Sequence, residues 1–399
     1  MNIEELLSDF SRTTEEVFSL EELKSLLHEK KKLNIKYGVD VTAPYLHLGH
    51  AVNLWMLRKL QDLGHKVQFL IGDFTTTIGD PTGKNKTRPI ISQQEIEQNT
   101  LKFIEQAKMI LRFDDPQLLE IRRNSEWYNN MSVSEILRLL SLVTHSKLIS
   151  RDMFRQRIQN SQDIYMHELI YPIFQGYDSY MLNSDLTIIG SDQLFNEMLG
   201  RFFQLKFQQT PQVIITSKIT KGIDGKAKQS KSLNNYIGLG HLPKEKFGRV
   251  MTLPDELIVT YFEVYTDLNM GEISEIRLDI QNDPLKYKKF LAQKIVERYH
   301  GPSIALEERH WFENVFSKKH IPEDIPCITL TTSSIHLIEL VHKAMGEQET
   351  TKSTVRRLIN QGAVRIDGTQ IMDLQAIVTI QSDTILKIGK RNWYKFQII

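Results

Sequence analysis

The chain is 399 residues long, carries 50 Lys+Arg against 49 Asp+Glu for a formal net charge of +1, and is 41% apolar. That balance excludes a disordered chain, which needs low hydropathy with high net charge, and a protein that coats polyanions through a global positive field. Any nucleic-acid contact has to come from local patches. One cysteine, Cys327, excludes an internal disulfide and a cysteine-based metal site and fits a reducing compartment. No uncharged apolar run approaches the ~20 residues that cross a bilayer. The opening MNIEELLSDFSRTTEE is acidic, without the basic and apolar regions of a secretory signal, so a cytoplasmic protein is expected.

In chain order, Asn34–Val39 predicts a short strand, and Thr42-Ala-Pro44 a break. His50 to Leu63 carries apolar residues at Val52, Trp55, Met56, Leu60 and Leu63, the spacing of one helical face. Gly64 ends that helix, and Val67–Ile71 is a compact apolar strand, which completes a βαβ unit and implies a parallel sheet. Helical text follows at Glu95 to Leu111, Val133 to Leu148 and around Ile164 to Asp178. Leu186–Gly190 and Gln212–Thr216 read as two more buried strands, the first running into Ser191-Asp192, which suit a helix N-cap. A doubly wound α/β domain with a helical insertion at about 90–165 is the expected architecture. After about Leu239 amphipathic helices take over (Asp255 to Thr266, Lys286 to His300), then a linker with Pro322 and Pro326. The tail from Thr332 predicts helices at Ile335 to Gly346 and Thr351 to Gly362 and strands at Ala363–Gly368 and Thr384–Gly389. It holds nine basic and six acidic residues, a local charge of +3. The predicted divisions are 1–239, 240–331 and 332–399.

Two motifs bear chemistry. His47-Leu-Gly-His50 stands where the first strand meets the first helix, so two imidazoles join a helix N-terminus that already favours an anion, and Gly49 permits close approach. The alternative is two ordinary histidines near a turn. A metal reading is weaker, because i,i+3 histidines without carboxylate or cysteine partners do not close a site. Gly79-Asp-Pro-Thr-Gly-Lys84 fails as a P-loop: Ile78 stands where the first glycine belongs and Asn85 where Ser or Thr belongs. No Gly-x-Gly-x-x-Gly follows the first strand, against a dinucleotide dehydrogenase. The second motif is Lys226-Ala-Lys228-Gln-Ser-Lys231-Ser232, a cationic loop suited to a leaving pyrophosphate, although such a run alone is also an ordinary solvated loop.

The order of these two motifs resembles the class I aminoacyl-tRNA synthetases, whose signatures are His-x-Gly-His and Lys-Met-Ser-Lys-Ser. Over nearly the whole chain it is similar to the bacterial-type tyrosyl-tRNA synthetases. The matching blocks run from Gly38-Val-Asp40 through His50, then Ile71-Gly-Asp-Phe-Thr75 to Gly83, Asn124-Ser-Glu-Trp127, His167-Glu-Leu-x-Tyr171 through Gln175 to Ser179, and Gly190-Ser-Asp192-Gln193. The resemblance implies a Rossmann-like catalytic domain over 1–239, a helical anticodon-side domain with linker over 240–331 and an S4-like RNA-binding domain over 332–399. It implies a tyrosine–tRNA ligase that makes tyrosyl-adenylate from tyrosine and ATP and charges the tRNA 3′ end, as a homodimer, with Mg²⁺ arriving on the ATP and no protein metal cage. His47, His50, Lys228 and Lys231 would stabilise the phosphoryl transition state and the departing pyrophosphate. Asp178 would accept from the tyrosine hydroxyl, Asp80, Tyr171 and Gln175 would receive the ammonium, and Lys36 and Gln193 complete the amino-acid pocket. Gly38, Asp40, Thr42, Gly49, Gly190, Asp192 and Ser230 would line the ATP side. Lys352, Arg356, Arg357, Arg365, Lys390 and Arg391 would meet tRNA phosphates, and Trp393 or Tyr394 would stack on a base or serve the core.

The sequence departs from the family at Gln229 (for methionine), Val41 (for proline), Tyr45 (for aspartate), Ile189 (for glycine) and Lys36 (for a tyrosine of one branch). These motivate a rival reading, a paralogue that activates a tyrosine-like amino acid. A second rival is an RNA-binding protein with a retired synthetase site.

Overall fold

The computed structural model describes residues 3–29, 32–82, 91–231, 233–317, 325–346, 350–389 and 392–398. The chain divides into two compact units, Met1–Arg309 and His310–Ile399. In the first, six strands form one sheet: β1 (Thr14–Phe18), β2 (Asn34–Val39), β3 (Lys66–Ile71), β4 (Leu119–Arg123), β5 (Leu186–Gly190) and β6 (Val213–Ser217), in the order β1-β6-β5-β2-β3-β4. All neighbours are parallel except β1, which runs antiparallel along β6. Every residue of β6 and five of the six in β3 are buried, as strands covered on both faces require.

The doubly wound α/β expectation holds, with two strands added. β1 (TEEVF) is an acidic edge strand with no buried residue, so no hydropathy pattern betrays it. β4 (LEIRR) falls inside the stretch expected to be a purely helical insertion, and pairs with β3 from Val67↔Leu119 to Ile71↔Arg123. Its one buried residue, Leu119, is too little for a pattern. The insertion's helical text resolves into Gln93–Ala107, Val133–Leu140, His145–Ile149 and Asp152–Gln159.

The site depends on where strands part. β2 pairs with β3 along its whole length, from Asn34↔Lys66 to Val39↔Ile71, but with β5 only at Ile35↔Leu186 and Lys36↔Thr187. Beyond Lys36 the two strands separate toward their C-terminal ends, the place where open α/β sheets bind ligands.

The floor of that crevice is a helix pair, Met166–Met181 against Leu194–Lys206. Glycines set their approach: a Cβ on Gly176 would lie 2.8 Å from Leu199 Cβ, and one on Gly200 would lie 2.6 Å from Ser179 Oγ. Helices from about Pro243 to His300 pack in the same unit. Arg12 ties them to the N-terminal segment, donating to the carbonyls of Phe262, Glu263, Thr266 and Leu268 around the end of helix Ile258–Tyr265.

The second unit has a five-stranded sheet, a two-stranded sheet, and helices Leu337–Ala344 and Lys352–Asn360 around a core including Leu340, Val355, Ile359, Leu386 and Phe396. Ser334–His336 is a strand rather than the start of the expected helix at Ile335, because it pairs with Ile377–Thr379. Pro322 and the Gly83-Lys84 pair lie outside the described residues.

The helix contact is open to a stability measurement. Alanine is favoured over glycine inside a helix by roughly 0.5–1 kcal/mol, whereas overpacking costs about 1–3 kcal/mol. Gly176→Ala is therefore expected to lower the urea midpoint; an unchanged or raised midpoint would show that the two helices do not need the contact.

Candidate active site

Between the parted strands lies a cavity of about 430 Å³. It is lined on the β2 side by Lys36, Gly38, Asp40, Thr42, His47, Gly49 and His50, and on the β5 side by Gly190, Asp192 and Gln193. Asp80, Tyr171, Gln175, Asp178 and Lys228 complete the set of expected residues that the fold gathers here.

His47 is the N-cap of helix Leu48–Asp62. Its Nδ1 accepts the Gly49 N–H at 3.1 Å, while its own N–H donates to His50 Nδ1 at 3.3 Å. Both Nδ1 atoms thus accept, so each neutral ring carries its proton on Nε2, the donor left for a ligand. Burial, with Lys231 and Lys228 nearby, lowers His50 to about 4; burial and the adjacent His50 hold His47 well below its ordinary value. At neutral pH the pair is therefore uncharged and offers two Nε2–H donors. Gly49 leaves room for the ring beside it: a Cβ there would lie 3.0 Å from His47 Cε1 and Nδ1, a tight contact that the imidazole would have to yield to.

The lysine loop is stitched to this turn. Leu48 N–H donates to Ile237 O and Leu239 N–H to Leu46 O, both at 2.9 Å. Lys228 pairs with Asp192 at 2.8 Å, with both side chains partly exposed. Lys231 does not line the cavity; its ammonium sits 5.3 Å from the Tyr45 ring, and burial brings it down to about 8. Ser230 likewise lies outside the lining, its N–H donating to Asn235 Oδ1 at 2.7 Å. Asn235 also donates to Asp224 and to the carbonyls of Ala227 and Lys228, so one buried amide holds the loop's shape. Ser232 lies outside the described residues. Gln229, the departure from methionine, points inward: it donates to Tyr265 Oη at 2.7 Å and to Thr220 Oγ1 at 3.4 Å.

At the floor, Asp178 is fully buried and accepts from Trp127 Nε1 at 3.0 Å and Asn124 Nδ2 at 3.3 Å. Burial raises it to about 7 against the opposing pull of Lys36. Lys36 is itself buried, paired with Glu197 at 2.8 Å and donating to Ser179 Oγ at 2.7 Å and Gln175 O at 3.3 Å. Tyr171 donates to Asp40 at 2.9 Å, and Asp40 also accepts from Thr75 Oγ1 at 2.8 Å. Gln193 donates to Asp80 at 2.9 Å.

Three expectations are corrected or explained. Ser191 and Asp192 do not cap a helix: a 3₁₀ turn covers Ser191–Gln193, Gly190 precedes it without a side-chain cap, and the Asp192 carboxylate takes the Lys228 ammonium instead. Ile189, the departure from glycine, is buried and stands with Ile188 and Gly190 in the cavity lining. Val41 uses its N–H, which proline lacks, as a donor to Thr76 Oγ1 at 3.0 Å.

Residues that sequence reasoning missed are Glu197 and Asn196 on the helix after Gln193, Asn235, and Arg151 of the insertion, whose Nη2 donates to Thr82 Oγ1 at 2.9 Å. Asn124 and Trp127 stand in a matched block, which is the signal that pointed to them. Among the described residues no cluster of three or more His, Cys, Asp or Glu is arranged for a metal, and no helix is long and apolar enough to cross a membrane.

In the second unit Lys352, Arg356, Arg357 and Arg365 are all exposed, while Lys390 and Arg391 lie outside the described residues. Arg365, Lys387 and Trp393 pair in register across three neighbouring strands, with the Lys387 ammonium 4.3 Å from the Trp393 ring. Tyr394 packs on the core.

A model of the family described as tRNA synthetases class I (W and Y) matches residues 28–317. "Tyrosine--tRNA ligase 2" of Photorhabdus laumondii is 40% identical over 401 residues, covering 100% of this chain and 99% of that protein. "Tyrosine--tRNA ligase" of Thermotoga maritima is 38% identical, covering 99% and 98%. Among solved structures, a C-terminally truncated mitochondrial tyrosyl-tRNA synthetase of Aspergillus nidulans superposes with a TM-score of 0.63 at 23% identity, covering 78% of this chain and 94% of that one. Tyrosyl-tRNA synthetase of Archaeoglobus fulgidus, complexed with L-tyrosine, gives 0.60 at 21%, covering 77% and 100%; these two likenesses speak to fold alone. With a family match over most of its length and full-length relatives at 38–40% identity, the chain belongs to the class I tRNA synthetases (W and Y), in the branch of the bacterial tyrosyl-tRNA synthetases.

Proposed function

We propose that the chain is a tyrosine–tRNA ligase that activates tyrosine with ATP and transfers the tyrosyl group to the 3′ end of its tRNA. The observation that carries this reading is Asp178: a buried carboxylate on the floor of the same cavity whose rim bears His47, His50 and Lys228. A tyrosine whose hydroxyl donates to Asp178 directs its carboxylate toward the rim. There it attacks the α-phosphorus of ATP, the bond to the β-phosphate oxygen breaks, and pyrophosphate leaves. His47 and His50 would donate through Nε2–H to the phosphates, Lys228 and Lys231 would follow the charge onto pyrophosphate, and Asp40, Asp192 and the glycines at 38, 49 and 190 would border the nucleotide. No side chain bonds to the acyl group, so catalysis is positioning and electrostatics. Phenylalanine would leave Asp178 without its donor, the kind of loss that yields strong discrimination without editing.

Several parts of this reading rest on the family likeness. These are the magnesium that accompanies ATP, a cytoplasmic homodimer that sedimentation would detect, catalytic, helical and RNA-binding regions over 1–239, 240–331 and 332–399, and the tRNA contacts of the basic tail.

Purified protein is expected to catalyse tyrosine-dependent ATP–pyrophosphate exchange, and the His47→Ala, His50→Ala double variant to lose it by ~10²-fold or more. Good exchange with another amino acid and none with tyrosine would sink the substrate assignment. The pH profile of kcat/KM for tyrosine at subsaturating ATP should be a narrow bell. Below about 7 Asp178 protonates, loses its charge and turns one acceptor oxygen into a donor, which weakens its hold on a hydroxyl proton, and above about 8 Lys231 loses its charge. Lys231→Arg should remove the alkaline limb, since arginine keeps its charge; a limb that stays put would refute the assignment to Lys231. Arg356→Ala with Arg365→Ala should raise KM for tRNA several-fold, with a weaker salt dependence, and leave pyrophosphate exchange unchanged. Equal loss in both assays would mean that the tail supports folding instead.

A further inference from the structure

The amino-acid pocket contains a polar chain that runs from one end of the substrate site to the other. Lys36 Nζ meets Glu197 Oε2 at 2.8 Å. Gln175 Nε2 donates to Glu197 Oε1 at 2.8 Å, and at the far end Gln193 Nε2 donates to Asp80 Oδ2 at 2.9 Å. Between them Asn196 Nδ2 donates to Gln175 Oε1 at 2.8 Å and to Gln193 Oε1 at 3.1 Å.

The polarity of this chain is forced. A carboxylate only accepts, so each glutamine turns its NH₂ to its carboxylate and its carbonyl the other way. Both carbonyls then converge on Asn196, whose NH₂ is the one group of the chain placed to donate to both. Asn196 is fully buried, on the turn of helix next to Glu197. Glu197 cannot relax its demand: it is 1% exposed, compensated by Lys36 and by a 2.8 Å bond from Gln212 Nε2. Turning either glutamine over would set a carbonyl oxygen against a carboxylate, a loss of order 1–3 kcal/mol per buried unsatisfied group.

We propose that Asn196 is a positioning residue that aims the carbonyl oxygens of Gln175 and Gln193 at the α-ammonium of the bound amino acid, with the Lys36–Glu197 pair as the fixed end that sets the direction. This rests on the aminoacylation reading above. Each amide oxygen has two lone pairs and gives one to Asn196, leaving the other to a ligand. Gln175, Gln193, Asp80 and Tyr171 all line the cavity, so an ammonium with three donors meets two carbonyls and a carboxylate. Lys36, in place of the tyrosine found in one branch of the family, is thereby committed to Glu197, Ser179 and the backbone carbonyl of Gln175, and serves the substrate's amino end through the chain.

Asn196→Asp is nearly isosteric and reverses the hub from donor to acceptor. Trp127, whose indole donates to Asp178 of the cavity floor, provides a fluorescence signal for binding. The ligands are tyrosine and 3-(4-hydroxyphenyl)propanoate, which lacks the amino group. The substitution is expected to weaken tyrosine about tenfold or more while changing the deamino analogue by less than about twofold. Should the charged variant not fold, Asn196→Ala should show the same selectivity at a few-fold loss. Equal weakening of both ligands, or unchanged tyrosine affinity, in a variant that melts with the wild type overturns the proposal. If the wild type binds an amino acid other than tyrosine, the substrate reading fails, and the same ratio taken with that amino acid and its deamino analogue still decides the role of Asn196.

Discussion

The parting of β2 from β5 after Lys36 and Thr187 is the constraint on which the rest depends. Two parallel strands that stayed hydrogen-bonded to their ends would bury Asp40 and Asp192 against each other with no room for a ligand. Because β2 remains bonded to β3 as far as Val39↔Ile71, the opening is one-sided and its β2 lip is rigid. The lip leads directly into the histidine turn, and the β5 lip into Gly190, Asp192 and Gln193. What looks like a collection of motifs scattered over nearly two hundred residues is two chain ends facing one gap.

Opening a sheet exposes polar backbone and invites collapse, and here the gap is held by a floor that is polar and buried together. Lys36, Glu197, Gln212, Asp178 and Asn196 are each at most 3% exposed. Burying charge is costly unless each group is paired and its remaining hydrogen-bond capacity filled. That demand explains why the two floor helices approach as closely as Gly176 and Gly200 allow. A wider spacing would lengthen the contacts of 2.8 Å from Gln175 and Lys36 to Glu197, and an uncompensated ion there costs more than the methyl groups omitted at the crossing.

The four central strands were legible because each is a short run rich in Ile, Val, Leu, Phe or Tyr set off by turn text, even where a buried polar residue such as Lys36 or Gln68 interrupts it: β2 and β5 are predicted to the residue, and β3 and β6 within one. β1 and β4 were not, since an edge strand facing solvent can be Thr-Glu-Glu-Val-Phe or Leu-Glu-Ile-Arg-Arg without penalty. Likewise His47, His50, Asp178 and the loop lysines announce themselves by spacing or by resemblance. Glu197 and Asn196 do not, because an i, i+1 pair inside an amphipathic helix has no signature until the facing helix supplies Gln175 and Ser179. Gln229 was legible as a departure but not in its consequence. Only the packing reveals that its amide reaches Tyr265 and Thr220, giving the loop a polar anchor where a methionine would give an apolar one.

Two ion pairs among the described residues of the site show how burial changes what the same chemistry permits. Lys36–Glu197 and Lys228–Asp192 have the same 2.8 Å separation, but the side chains are 2% and 1% exposed in the first and 53% and 33% in the second. An exposed pair contributes about 0–1 kcal/mol, so Lys228 can leave Asp192 for a phosphate at little cost, and Asp192 is then freed for a neutral hydroxyl donor. The buried pair has no water to replace a lost partner, and breaking it costs about 3–5 kcal/mol. Burial alone therefore separates a half of the cavity whose ion pair is fixed from a half whose ion pair can exchange partners, the division that the proposed reaction would use.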